Sequence, residues 1–336
     1  MIEVIQSRRK NINLARNGVR RDPFDLILIV TEGEKTEPLY FKDLRSKEKL
    51  SSTNVEITGD CGSDPVSVVK HAIKLYEESV AEKNQSKLFD IAFCIVDRDK
   101  HPNFYPALQM IDEYNKKSNK MILIPIKSYP SFEYWYLCHL TYTRAPFVET
   151  QRKSSGDLCY DLLQQHWKEK LEGSYGKGKD KVYSIFDGKK LLDTAMIHAE
   201  RALKDADSTA ENNPSTEAHF LVSYLLNVKE VGLQVKSVLD PIFEFSITVE
   251  RYLPINDNFE KKLGKLQSFL DSINKEYEPQ LATLLSNSNK LTKVNIFRIK
   301  FMRQYLNELQ NRLILGMEEI LDEQINEEEQ KKCANS

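Results

Sequence analysis

The pattern of apolar and polar positions opens with Leu26 to Val30, an unbroken apolar run that stops at Thr31-Glu32-Gly33-Glu34-Lys35-Thr36-Glu37-Pro38. A short run bounded by turn residues and rich in Leu, Ile and Val predicts a parallel strand buried on both faces. Thr36 to Leu50 has helical composition, and Asn54 to Thr58 is a short candidate strand. Ser63-Asp64-Pro65 supplies a cap and a first-turn proline, after which Val66, Val69, Ile73 and Tyr76 recur at helical spacing. Leu88 to Val96 predicts a second buried strand, which runs directly into Asp97-Arg98-Asp99. Pro102 to Lys117 returns to helical spacing through Leu108, Ile111 and Tyr114, and Met121 to Ile126 predicts a further strand leading into Ser128 to Trp135. Strands and helices alternate, and that order implies a parallel sheet with right-handed crossovers.

The pattern weakens from Thr141 to about Lys190, where Gly173 to Lys181 reads as a flexible basic loop. The loop lacks the terminal Lys-Ser/Thr of a P-loop, which excludes nucleotide binding of that kind. Leu191 to Leu203 is helical, and Asn212 to Thr216 predicts a turn that caps a helix through Leu226. Phe243, Phe245, Ile247 and Val249 alternate with Glu244, Ser246, Thr248 and Glu250, which predicts a half-exposed strand. Two amphipathic helices follow, one marked by Leu263, Leu266, Leu270 and Ile273, the other by Val294, Phe297, Phe301, Tyr305 and Leu309. The change in pattern sets a boundary near Lys229 to Gly232. The expected division is a basic arm at 1–22, an α/β domain at 23–230, and a strand with helices at 231–330.

Composition narrows this picture only in places. Apolar content of 40% and charged content of 29% over 336 residues are globular values with ample length for a core. Lys and Arg number 48 against 50 Asp and Glu, so a nucleic-acid site has to be local. The five cysteines have no metal-binding spacing and read as reduced thiols of a cytoplasmic protein. Met1 to Arg21 is basic and lacks the apolar core of a signal peptide, leaving a solvated leader or a phosphate-contacting arm as its two readings. No apolar stretch approaches the roughly 20 residues that span a bilayer, so no membrane association is expected.

Candidate chemistry sits where the strands end. Ligands of an open parallel sheet collect outside the carboxyl ends of its strands, and there the sequence supplies Glu32, then Asp97 and Asp99, then Ser128 to Glu133. Asp97 and Asp99 face the same way if strand geometry persists. Gathered carboxylates repel one another, and a hard cation such as Mg²⁺ or Mn²⁺ relieves the repulsion through oxygen ligands. Such a metal activates a water and stabilises a phosphoryl group in transfer, with a neighbouring Glu as general acid or base. Plainer readings stand beside these: Glu32-Gly33 as a turn, Asp97 and Asp99 as a cap or solvated loop, and Glu133 as a helix N-terminal carboxylate favoured by the dipole. Lys177, Lys179 and Lys181 would contact nucleic-acid phosphates if their loop folds over the crevice. Tyr134, Trp135 and Tyr136 are assigned to helix packing ahead of base stacking. Among the scattered histidines, His101 lies two residues beyond Asp99 and is read as a solvated loop residue.

The segments LILIVTEGEKTEPLYF, FDIAFCIVDRDKH, IPIKSYPSFEYWYLCHL, YGKGK and NNPST, in this order, resemble the RloB-like family of bacterial proteins. The resemblance covers roughly residues 24–226. It implies a Toprim-type fold, association with phage-defence and restriction loci, and similarity to the Toprim halves of OLD-type nucleases, which act beside an ABC- or AAA-type ATPase. It further implies that Glu32 is the Toprim glutamate and that Asp97 and Asp99 are the metal-binding pair. Glu37, in competition with Glu34, would be the second acidic residue, and Glu133 an extra ligand or a supporting group. The expected activity is a Mg²⁺-dependent endonuclease of abortive infection, cutting DNA or RNA with an ATPase partner, with a homodimer as the candidate assembly. The alternative is a non-catalytic effector subunit regulated by that partner, with the C-terminal helices as its docking or dimerisation surface. A Toprim phosphotransferase such as a primase is weaker, because no zinc or polymerase-like motif accompanies it.

Overall fold

The computed structural model describes residues 24–51, 55–62, 64–81, 88–99, 101–254 and 258–334. The basic arm at 1–22 lies outside the described residues. Contacts divide the chain into two compact units, Met1–Lys229 and Glu230–Ser336.

The first unit is an α/β layer structure. Its elements run β1 (Ile27–Thr31), α1 (Thr36–Lys47), β2 (Val55–Thr58), α2 (Pro65–Ala81), β3 (Ile91–Asp97), α3 (Phe104–Ser118), β4 (Leu123–Tyr129) and α4 (Glu133–Leu140). The sheet has the order β2-β1-β3-β4-β5, where β5 is Ser215–Thr216. Pairing is parallel except between β4 and β5. Leu28 and Val30 on one face of β1 pack with Val68, Val69 and Ala72 of α2 and Ile111 of α3. The alternate residues Ile27 and Ile29 are also fully buried, so helices cover both faces, as the continuous apolar run requires. Asn115 at the end of α3 fixes the start of β4: its Oδ1 accepts the N–H groups of Ile122 and Leu123 at 2.9 Å, and its Nδ2 donates to the Leu123 carbonyl at 2.7 Å.

The stretch where the pattern faded contains two helices, α5 (Ser155–Lys170) and α6 (Val182–Gly188). The start of α5 is a capping box, in which Ser154 Oγ accepts the Asp157 N–H at 3.1 Å and Asp157 Oδ2 accepts the Ser154 N–H at 2.9 Å. Cys159, Leu163 and Trp167 then bury one face at four-residue intervals. Helices α7 (Leu192–Thr209) and α8 (Ala218–Asn227) complete the unit, with β5 inside the expected turn at Asn212 to Thr216. Tyr134, Trp135 and Tyr136 are all buried, which fits packing and rules out stacking on bases.

The described residues of the second unit are helical: α9 (Leu233–Tyr252), α10 (Phe259–Ser272), α11 (Glu278–Ser286) and α12 (Lys293–Ala334). The expected strand at Phe243 to Glu250 is therefore corrected, since it belongs to α9. The buried positions of that helix, Val235, Lys236, Leu239, Ile242, Ser246 and Val249, follow helical spacing. The two-residue alternation is a local coincidence, and with no strand among the described residues of this unit an isolated strand would leave its N–H and C=O groups unpaired. Phe297 is likewise outward, because the buried face of α12 runs through Val294, Ile299, Met302, Leu306 and Leu309. Among the described residues, no helix is long and apolar enough to cross a membrane.

Gly59, just after β2, has to be glycine. A Cβ there would lie 2.3 Å from the Gly33 carbonyl oxygen and 2.9 Å from Thr31 Oγ1, against backbone that cannot yield without moving the β1–α1 turn. Gly59→Ala is expected to destabilise the first unit by about 1–3 kcal/mol, the usual range for overpacking. Urea unfolding followed by tryptophan fluorescence reads this unit directly, because both tryptophans, Trp135 and Trp167, are buried in it. An unchanged midpoint would contradict the close approach.

Candidate functional site

In this sheet β1 lies between β2 and β3, so the chain leaves β1 toward one side and leaves β3 toward the other. The carboxyl edge between them is the switch point at which α/β sheets bind ligands. The register pairs Thr31 with Ile95, which brings Glu32, just past β1, beside Asp97 at the end of β3. The Asp97 N–H donates to Glu32 Oε2 at 3.2 Å.

A cavity of about 560 Å³ opens there. The β1–α1 turn lines it with Glu32, Gly33, Glu34, Lys35, Thr36 and Glu37, and the segment after β2 with Gly59 and Gly62. Asp97, Asp99 and His101 come from the end of β3, Ser131 and Glu133 from the end of β4, Ser154, Gly156 and Asp157 from the start of α5, and Lys177 from the glycine-rich loop.

Glu32, Asp97, Asp99 and Glu133 each have an anchor. Glu32 Oε1 meets His101 Nε2 at 2.8 Å. Asp97 Oδ2 accepts the Phe132 N–H at 3.1 Å, whereas its Oδ1 is enclosed and has no hydrogen-bond partner. Asp99 Oδ1 accepts the Gly156 N–H at 3.4 Å, and a Cβ on Gly156 would stand 3.1 Å from Asp99 Oδ2. Glu133 Oε2 accepts from Ser131 Oγ at 2.8 Å, and its Oε1 lies 3.9 Å from Lys177 Nζ. Glu37 is buried in the first turn of α1, while Glu34 lines the same cavity from an exposed position.

Glu32, Glu37, Asp97, Asp99, Glu133 and Lys177 are thus brought together. Lys179 and Lys181 are not among the cavity residues. Lys179 Nζ donates to the Ser174 carbonyl at 3.1 Å and lies 5.5 Å from the centre of the Trp167 ring, and Lys181 precedes α6 in a left-handed conformation. His101 is no solvated loop residue, since it is paired with Glu32. Arg98 supports it: Nη1 donates to the carbonyls of Asp99 and His101, both at 3.3 Å, and the guanidinium stands over the rings of Phe104 and Tyr105. Sequence reading also missed the start of α5, although Ser154 and Asp157 carry the capping-box spacing that marks it.

The electrostatics follow from burial. Glu32 is raised above its ordinary value by desolvation, which the Asp97 N–H and His101 oppose and the nearby Asp64 and Asp99 reinforce. Burial pushes Glu37 up to about 7, with repulsion from Glu133 and Glu32 adding and Lys177 opposing. Asp97 is held well above the carboxylate range by burial, then by Glu37, Glu32 and Glu133. The site is therefore short of positive charge, with Lys35 and Lys177 its only lysines among the described residues. Its donors are oxygens, the set that hard divalent cations take, and the unpartnered Asp97 Oδ1 offers a free ligand. Among the described residues no three His, Cys, Asp or Glu side chains already converge as a metal cage. Mg²⁺ does not require one, because it usually takes one or two carboxylates and keeps several waters. On these grounds the residues fit such an ion.

A family model described as RloB-like protein matches residues 27–225, a span that contains every cavity residue. No curated protein and no solved structure matches the chain.

The raised carboxyls predict a pH dependence. The unfolded chain ionises Glu37 near 4.5, while the folded chain keeps it protonated to about 7. Over that window the folded state holds more protons, so without a bound cation its stability falls as pH rises, by up to about 1.4 kcal/mol per pH unit for one such group. Glu37→Gln should flatten this slope between pH 5 and 7 in urea unfolding followed by tryptophan fluorescence. A variant slope as steep as that of the native chain would contradict the assignment.

Proposed function

This chain belongs to the RloB-like protein family, and on that footing we propose that it is a Toprim-type, divalent-cation-dependent endonuclease of bacterial phage defence. It hydrolyses phosphodiester bonds of DNA or RNA in the cytoplasm, together with an ATPase partner. The observation that carries this reading is the convergence of Glu32, Glu37, Asp97 and Glu133 on one cavity at the β1/β3 switch point, with the enclosed Asp97 Oδ1 left unpartnered.

Asp97 through Oδ1, with Glu32 beside it, would hold Mg²⁺ or Mn²⁺, and Glu37, Asp99 and Glu133 line the same cavity. When bound, such an ion supplies charge neutralisation for phosphoryl oxygens and a water of lowered pKa. The protein's own groups do the rest. Lys177 binds the substrate phosphate, and in its absence lies against Glu133. Glu32 moves the proton at Oε1, the oxygen that His101 Nε2 orients. The Phe132 N–H keeps Asp97 turned into the cavity.

The test is cleavage of duplex DNA, single-stranded DNA, RNA and tRNA with Mg²⁺ or Mn²⁺. Glu32→Gln and Asp97→Asn should each lose at least about a hundredfold in rate, the scale of a lost acid–base group. Lys177→Ala should weaken substrate binding and reduce its salt dependence while sparing the turnover rate. Full activity in both carboxylate variants, purified in parallel, would sink the proposal.

A further inference from the structure

Helix α12 carries two apolar faces, and only one of them is covered. Residues advance about 100° each along a helix. The covered face runs through the buried Leu309, Leu313 and Ile320, with Gly316 set against Leu266 of α10. Continued past Ile320 that face turns polar at Gln324. A second stripe lies about a third of a turn away, where Ile314, Leu321 and Ile325 recur at intervals of seven and four residues. These side chains are 38%, 42% and 57% exposed. From Leu321 to Asn326 every residue is exposed.

Charge specifies what could cover that stripe. Every ionisable residue from Glu318 to Glu329 is acidic. Glu318 with Asp322 and Glu319 with Glu323 are like-charged pairs at i, i+4, which destabilise a helix. A cationic partner with an apolar stripe of its own relieves that repulsion and covers the exposed side chains, whereas a second copy laid alongside in parallel would bring like charges together.

We propose that residues 314–329 of α12 are the docking site for a basic amphipathic helix of a partner protein. That helix seats its apolar residues on Ile314, Leu321 and Ile325 and sets its Lys and Arg against Glu318, Asp322 and Glu329. The surface lies outside the residues matched by the family model and does not depend on the acidic cavity.

The experiment is a fluorescence-anisotropy titration of the full chain with a synthetic helical peptide of Lys and Leu, its leucines at i, i+3 and i+7. Binding that weakens with added salt is expected, as is a loss of at least about tenfold in the Leu321→Ser/Ile325→Ser variant, whose charge is unchanged. Far-UV circular dichroism and light scattering of that variant should match the native chain. No binding would overturn the proposal, and so would equal affinity in the variant, which would mean attraction by charge alone. A native dimer that the variant converts to a monomer would assign the stripe to a second copy. Peptide binding that appears only after removal of residues 1–22 would assign it to the chain's own basic arm.

Discussion

Carboxylates buried together at the edge of a parallel sheet repel one another, and the first unit is arranged around holding them. Two strands are fixed in register by the apolar runs of β1 and β3, so Glu32 and Asp97 have no freedom to separate. The start of α1 adds Glu37, and the start of α4 adds Glu133. Backbone N–H groups of Asp97 and Phe132 and the Ser131 hydroxyl supply partial positive charge. Full cations are scarce: Lys177 reaches Glu133 at the limit of an ion pair, and Lys35 lines the cavity from an exposed position. Holding such a set without a cation costs stability, and a hard divalent ion is the simplest means of offsetting it.

The wall behind the cavity explains why the charges are felt so strongly. Tyr40 of α1 makes edge contacts with Phe132 and Tyr183, and Tyr136 of α4 packs on Tyr175 and Phe186. These rings form an apolar body next to Glu37 and Glu133, where little water reaches the carboxyls. His139 within it stacks on Phe186 with centroids 3.9 Å apart, and burial lowers its pKa to about 3. It is a neutral core histidine. The only histidine lining the cavity among the described residues is His101, delivered by the turn that Arg98 braces.

The central strands and the acidic edge were legible in the sequence because continuous Leu, Ile and Val runs end abruptly in Glu32 and Asp97. The parallel pairing of the first four strands followed from alternation of strand and helix, whereas the strand order and the antiparallel β5 did not. What stayed hidden depended on packing across long sequence separations. The bond between His101 and Glu32 joins residues that only the β1–β3 pairing brings near, and the separate fates of Lys177 and Lys179 are decided by Glu133 and Trp167. The Phe243 to Glu250 segment misled because aromatic and β-branched residues alternate with polar ones over only two helical turns. Its true period emerges once Val235, Leu239 and Ile242 extend the window. The capping box at Ser154 was readable but was obscured by the weak periodicity around it.

The claim on which this account rests is that the acidic cavity binds a hard divalent cation, and electron paramagnetic resonance of added Mn²⁺ tests it without reference to catalysis. The free-ion signal should fall as the native chain is titrated in at neutral pH, competition by Mg²⁺ should restore it, and Asp97→Asn should leave it largely undiminished. A native chain that leaves the Mn²⁺ signal untouched, or an Asp97→Asn variant that depletes it equally, would contradict the account.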